Sequence, residues 1–254
     1  MGNFENKTVI VTGGGGHIGR AIAVHYLQAG ANVIICGRRE PKVPVSAGTR
    51  EALFVQADIR DPLQSQRVVD AAVNQFGGLD VLVNNAGGSP PVAAAEASPE
   101  LTQKIIQLNL VAPLVLAQQA YRVMAGQQQV GSIINIASVS GTRPSPGTAA
   151  YGSAKAGLLS ATKSLAQEWG PKVRVNAIVV GLVRHDAGVE HYGGEEGFAR
   201  VANMLPLKRM AEPQDIADAC LFLSSEQAAY ISGASLEVDG GGEAPVFLYL
   251  AANK

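Results

Sequence analysis

The sequence predicts an α/β fold in which helices doubly wind a single parallel sheet, and three observations carry that expectation. Short apolar, β-branched runs recur along the chain, stretches with helical periodicity separate most of them, and a glycine-rich turn closes the first run. Alternation of this kind is the pattern of parallel strands joined by right-handed crossovers.

The first strand is the run TVIVT ending at Gly13, and Ile18, Ile22 and Tyr26 then recur every four residues, which predicts a helix after a tight turn. Further strands are expected at Ala31–Cys36, Leu53–Val55, Leu79–Val83, Ser132–Ala137, Val173–Val179 and Ser235–Val238. Asp61-Pro62, Ser98-Pro99 and Glu212-Pro213 mark helix starts, because proline at a first helical position has no N–H to leave unsatisfied. The stretch Arg38–Arg50 carries Pro41, Pro44 and Gly48 with little helical periodicity, so a loop or a single helical turn is expected there. No internal repeat or linker-like shift interrupts the pattern, and residues 1–254 read as one domain. Ligands of such sheets bind beyond the carboxyl ends of the strands, where the winding direction reverses.

Composition narrows the function. The 254 residues are 47% hydrophobic, enough for a sizeable core, and the 29 glycines punctuate apolar segments where turns are needed. A net charge of −1 with no long basic run leaves no electrostatic footprint for nucleic acid or an anionic membrane. The opening MGNFENKT lacks the basic and apolar regions of a signal peptide, and no stretch reaches about 18 uninterrupted apolar residues, so a cytoplasmic protein is expected. Cys36 and Cys220 sit alone inside apolar runs, which predicts buried thiols rather than a disulfide or a metal site.

The run Thr12 to Gly19 joins the first strand to the first helix, where backbone amides and a helix N-terminus can face a pyrophosphate. Gly13, Gly15, Ile18 and Gly19 are therefore candidate cofactor contacts; taken alone, such a run can equally be a tight structural turn. His17 is assigned contact with phosphate rather than chemistry, with a capping or solvated role as the alternative. At the end of the second strand, where an acid would hold the ribose hydroxyls, the chain reads Cys36-Gly37-Arg38-Arg39. Gly37 leaves room and Arg38, with Arg39 beside it, offers a guanidinium fork to a 2′-phosphate, which favours NADP(H) over NAD(H). Two solvated arginines are the alternative. Asp58, followed by Ile59, is placed to accept from the adenine amino group, and Asn85, Ala86 and Gly87 end the fourth strand with small residues able to approach a cofactor.

Tyr151 and Lys155 stand four residues apart on a helix-compatible segment and so share one face; alone, such a pair is usually an ordinary surface pair, as a serine after a strand such as Ser138 is usually a turn residue. A neighbouring ammonium favours phenolate, and on that ground Tyr151 is expected to have a lowered pKa and to serve as acid or base. Ser138 follows an apolar strand, at the edge where a reacting carbonyl would lie. Pro113 has no N–H for the carbonyl of Asn109, which is left to a water linked to Lys155 or to a simple proline kink.

Together TGGGGHIG (12–19), NNAG (84–87), Asn109, Ser138, YGSAK (151–155) and LEVDGGG (236–242) resemble the short-chain dehydrogenase/reductase family over nearly the whole chain. The resemblance implies a Rossmann-type domain with a seven-stranded parallel sheet flanked by helices. It also implies a catalytic tetrad of Asn109, Ser138, Tyr151 and Lys155, with Lys155 holding the nicotinamide ribose, and cofactor contacts at Gly181 and the Val183 backbone. Three positions depart from the family pattern: His17 replaces a glycine, Val180 a proline and Arg184 a frequent threonine. About 185–205 would form a substrate flap, where Val189, Tyr192, Phe198, Val201 and Met204 suit a partly apolar small molecule. The tail 243–254 contains the apolar run Pro245–Leu250, which the resemblance places at a subunit interface of a homotetramer.

The activity implied is NAD(P)-dependent interconversion of a carbonyl and a secondary alcohol, with a 3-oxoacyl thioester as first substrate. A sterol, a polyol or another small secondary alcohol is the alternative. Arg184, Arg200, Lys208 and Arg209 are too scattered to form a basic patch for a carrier protein. A non-catalytic dinucleotide sensor is opposed by the complete tetrad.

Overall fold

Successive side chains of a strand point to opposite faces, so an uninterrupted apolar run needs cover on both sides. The computed structural model describes residues 3–184 and 192–245 and shows how that cover is supplied. The strands are Thr8–Thr12 (β1), Asn32–Gly37 (β2), Ser46–Ala47 (β3), Arg50–Glu51 (β4), Leu53–Gln56 (β5), Val81–Asn84 (β6), Gly131–Ile136 (β7), Val173–Val180 (β8) and Ser235–Val238 (β9). All but β3 and β4 form one seven-stranded parallel sheet in the order β5-β2-β1-β6-β7-β8-β9. The helices are His17–Gln28 (α1), Pro62–Phe76 (α2), Pro99–Ile106 (α3), Ala112–Met124 (α4) and Ala149–Trp169 (α5), followed by Gly194–Met204 and Pro213–Ser224.

The alternation along the strands divides the core into two layers. Val9, Val11, Val33 and Ile35 pack with Ile22 and Tyr26 of α1 and with Cys220 of the helix Pro213–Ser224. Ile10, Ile34 and Cys36 face the other way, onto Val68 of α2, Leu116 of α4 and Trp169 of α5. Each fully buried Ile or Leu contributes roughly 1.5–3 kcal/mol. Both cysteines are free and buried, one in each layer, and burial pushes the Cys36 thiol up to about 12 and raises that of Cys220 as well.

The helix starts lie where the prolines predict them. Asp61 accepts from Leu63 N, Ser98 accepts from Leu101 N at 3.2 Å, and Glu212 and Asp215 form a reciprocal capping box. The stretch after β2 is not the simple loop or helical turn expected from sequence. It contains the antiparallel hairpin β3–β4 around Gly48, whose φ is 59°, and it buries Val45 to 1% exposure. Arg20 of α1 donates to the carbonyls of Val43 and Pro44, tying the hairpin arm to the first helix.

Among the described residues no helix is long and apolar enough to cross a membrane, and no group of His, Cys, Asp or Glu could hold a metal ion. The chain runs outward from β1 through β2 to β5 and then returns to place β6 beside β1. The winding therefore reverses between β1 and β6, and a ligand is expected at their carboxyl ends.

Candidate active site

At that reversal the glycine-rich turn and the NNAG run are fastened together. Thr12 Oγ1 accepts from the backbone N–H groups of Asn85 and Ala86, both at 2.9 Å, and Asn85 Nδ2 donates to Thr12 O at 2.8 Å. Gly13 takes a φ of 65°, and a Cβ on Gly19 would lie 2.3 Å from Gly13 O, so only glycine lets α1 start this close to β1. The turn opens into a cleft of about 690 Å³. Gly13, Gly15, His17, Ile18, Gly19, Arg38, Arg39, Asp58, Ile59, Asn85, Ala86 and Gly87, all singled out from sequence, line it. Pro41, Phe54, Arg60 and Leu108 line it too and were missed, although Pro41 had been noted as a helix breaker; its ring stands where a Cβ on Gly15 would approach to 3.2 Å.

Two side chains in the cleft have partners that the sequence did not suggest. Asp58, expected to accept from adenine, is gripped by the Arg60 guanidinium, with Nε at 2.9 Å from Oδ1 and 3.2 Å from Oδ2. That hydrogen bonding holds its carboxyl below the usual range. His17, expected to face phosphate, has Nε2 at 2.6 Å from Arg184 O.

Beyond Gly87 lies the second group. A Cβ on Gly87 would come within 2.7 Å of Asn109 Oδ1 and 3.2 Å of Lys155 Nζ, so this glycine is the thin wall between the cleft and two buried polar side chains. Asn109, fully buried, donates to Gly88 O at 3.0 Å and accepts from Gly88 N at 2.9 Å. Its backbone lies in a π-helical turn, Gln107–Val111, between α3 and α4, where the Ala112 N–H reaches back to Gln107 O just before Pro113. Lys155, 3% exposed, donates to Ile136 O at 2.7 Å, and burial brings its ammonium down to about 8.

Ser138 caps the short turn Val139–Gly141, accepting from Ser140 N at 3.2 Å. Gly141 and Gly152 let α5 lie directly on this turn: a Cβ on Gly141 would be 2.8 Å from Ala156 N, and one on Gly152 2.7 Å from Ser140 O. That contact brings Tyr151 within hydrogen-bonding reach of Ser138. The phenol is not lowered as the spacing alone suggested. Burial raises its pKa and the Ser138 bond pulls it back, while Lys155 Nζ sits 5.5 Å from the centre of the ring. Asn109 and Lys155 thus meet beside Gly87, and Tyr151 lies between Lys155 and Ser138.

The family model described as enoyl-(acyl carrier protein) reductase matches residues 15–243. The chain belongs to the short-chain dehydrogenase/reductase family. It is similar to a probable 2,4-dienoyl-CoA reductase of Bacillus subtilis, 34% identical over 94% of this chain and 97% of the relative. It is 37% identical to an L-rhamnose 1-dehydrogenase (NAD(P)(+)) of Azotobacter vinelandii, over 93% and 96% of the two chains. The ligand-free aldohexose dehydrogenase of Thermoplasma acidophilum superposes with a TM-score of 0.87 at 29% identity, covering 94% of this chain and 95% of that one. As a short-chain dehydrogenase/reductase the protein is an NAD(P)-dependent oxidoreductase acting on an alcohol or carbonyl group.

Four expected cofactor contacts, Tyr151, Lys155, Gly181 and Val183, fall outside the cleft lining. Gly181 packs against Asp239, whose Cα would be 2.6 Å from an added Cβ, and Val183 bridges Ala211 in a parallel pairing. In the segment expected from sequence to form a flap, Tyr192 meets Phe198 edge to face at 6.4 Å and Arg184 lies 5.6 Å from the Phe198 ring, while Arg143 pairs with Glu243 at 2.6 Å. Val201 and Met204 belong to the helix Gly194–Met204, whereas His185, Val189 and the rest of 185–191 lie outside the described residues, as do 246–254 of the tail.

Proposed function

We propose that the protein transfers hydride between NADP(H) and a carbonyl or secondary alcohol, using Asn109, Ser138, Tyr151 and Lys155 to bind and protonate the substrate oxygen. The observation that carries this reading is the convergence of those side chains across Gly87 from the dinucleotide cleft. The residues present fit a dinucleotide, because the glycine turn after β1, Arg38 and Arg39 after β2, and Asn85 to Gly87 after β6 all line one cleft at the carboxyl ends of the strands. The contacts proposed for it are Gly13, Gly15, Ile18, Gly19, Arg38, Arg39, Asp58, Ile59, Asn85, Ala86, Gly87, Tyr151, Lys155, Gly181 and Val183, with His17 bordering the turn while its Nε2 is bonded to Arg184 O.

Bound there, the nicotinamide supplies a hydride in reduction and takes one up in oxidation. Ser138 Oγ would hold the substrate oxygen, and the Tyr151 hydroxyl, raised by burial and therefore protonated at neutral pH, would give its proton as negative charge develops. Lys155 would steady the phenolate left behind, and Asn109 fixes the Gly88 backbone beside it. Oxidation runs through the same positions in reverse.

The preference for the 2′-phosphorylated cofactor is supported by Arg38 and Arg39, which line the cleft and are held in no ion pair among the described residues. Glu40, the next acid after β2, follows both arginines. A 3-oxoacyl thioester is the first substrate reading; the description of the matching family and the Bacillus relative support its acyl-thioester part, while both names denote reduction of a carbon–carbon double bond and not of a 3-oxo group. A sugar or other small secondary alcohol is the second, favoured by the rhamnose and aldohexose dehydrogenases. The assembly proposed is a homotetramer.

Fluorescence titration with NADPH and NADH tests the cofactor reading. Wild type should prefer NADPH and Arg38→Ala should lose that preference; equal or tighter binding of NADH by wild type refutes it. Tyr151→Phe should lower turnover about 10²- to 10⁴-fold with the dinucleotide Kd unchanged. Undiminished turnover would remove Tyr151 as the proton donor.

A further inference from the structure

Two departures from the family pattern, 167 residues apart, touch each other: His17 Nε2 lies 2.6 Å from the carbonyl oxygen of Arg184. A carbonyl oxygen only accepts, so Nε2 carries the hydrogen. From the other side the same backbone is paired with Ala211: Arg184 N donates to Ala211 O at 2.8 Å, and Ala211 N donates to Leu182 O at 2.9 Å. The segment 182–184 is thus held between a strand-like pairing and an imidazole that belongs to the dinucleotide turn. It leads directly to the substrate side, since the Arg184 guanidinium lies over Phe198 of the helix Gly194–Met204.

We propose that His17 is a positioning residue: by bonding to the Arg184 carbonyl it sets the Val183–Arg184 backbone, which the dinucleotide reading assigns to the nicotinamide half of the cofactor, coupling dinucleotide binding to the placement of the helix Gly194–Met204. A glycine at position 17 offers no such bond. The imidazole lines the cleft on one side and grips the segment on the other, so a dinucleotide lying along the turn meets the ring that fixes its far end. The proposal rests on the dinucleotide reading above.

Calorimetric titration of wild type, His17→Gly and His17→Gln with NADPH and with 2′-phospho-ADP-ribose, which keeps the pyrophosphate but lacks nicotinamide, separates the possibilities. His17→Gly should bind NADPH about five- to tenfold more weakly, the worth of one hydrogen bond, and bind the fragment within about twofold of wild type. His17→Gln, which retains an N–H donor, should recover most of the loss. In the protein without ligand, hydrogen exchange at the Arg184 amide should quicken in His17→Gly and slow again in His17→Gln. Equal weakening of both ligands would make His17 a phosphate contact and overturn the proposal, as would unchanged exchange at Arg184. If wild type binds neither NADPH nor NADH, the dinucleotide reading and the coupling fall together, while the exchange measurement still decides whether His17 holds the segment.

Discussion

Lys155 and Tyr151 each have an environment that works against their charged form. The lysine is 3% exposed and bonded to Ile136 O, and its pKa falls to about 8 from 10.5, so between those values the folded protein has released a proton that the unfolded chain still holds. Stability must then rise with pH across that window, because the unfolded state binds more protons. Tyr151 titrates in the opposite sense above its ordinary 10, and a Tyr151→Phe background removes it. In that background the stability of Lys155 relative to Lys155→Met should improve by about 2 kcal/mol between pH 8 and pH 10, read by urea unfolding. A difference that stays flat would mean that the ammonium is solvated. The residue types here were legible in the sequence only in combination, because a YxxxK pair or a serine after a strand is commonplace alone and the coincidence with Asn109, NNAG and the glycine turn is what suggested proton chemistry. Their electrostatics were not, since the i, i+4 spacing says nothing of Nζ turning to Ile136 O. The His17–Arg184 contact was hidden for a plainer reason: no local pattern links residues so far apart.

At the scale of elements, the placement of Tyr151 depends on how closely α5 can lie on the turn Val139–Gly141. Alanine at Gly141 would put a methyl 2.8 Å from the backbone of Lys155 and Ala156, which cannot move aside as a side chain end can. Gly141→Ala should therefore cost about 1–3 kcal/mol and reduce turnover by separating Ser138 from Tyr151. Gly126→Ala, where the nearest atom is 3.5 Å away, should do neither; thermal melts and initial rates compare the two. The strands, the capped helix starts at Asp61, Ser98 and Glu212, and the reversal beside β1 were all readable from periodicity and proline placement. The hairpin β3–β4 was not, because strands of two residues show no alternation. Pro113 announced a missing helical bond, yet only the structure shows that the chain before it forms a π-helical turn and that the Asn109 side chain bonds to Gly88.

At the scale of the molecule, both core layers are built on the two faces of one sheet, so neither can lose its sheet without exposing the other. The chain, proposed as one domain, should unfold in a single transition by fluorescence and circular dichroism alike; two separated transitions would divide it. Light scattering on a sizing column tests the proposed tetramer, and a monomer at micromolar concentration would exclude it. The two thiols make the same question answerable from inside. Cys36 lies against α2 and α4, Cys220 against α1, and burial keeps both protonated and out of reach while the sheet is covered. A thiol reagent therefore acts as a clock on the opening of each layer. Equal labelling rates would mean that the layers open together. Faster labelling of Cys36, slowed by a dinucleotide in the cleft that it lines, would mean that the cofactor holds its own side of the sheet shut.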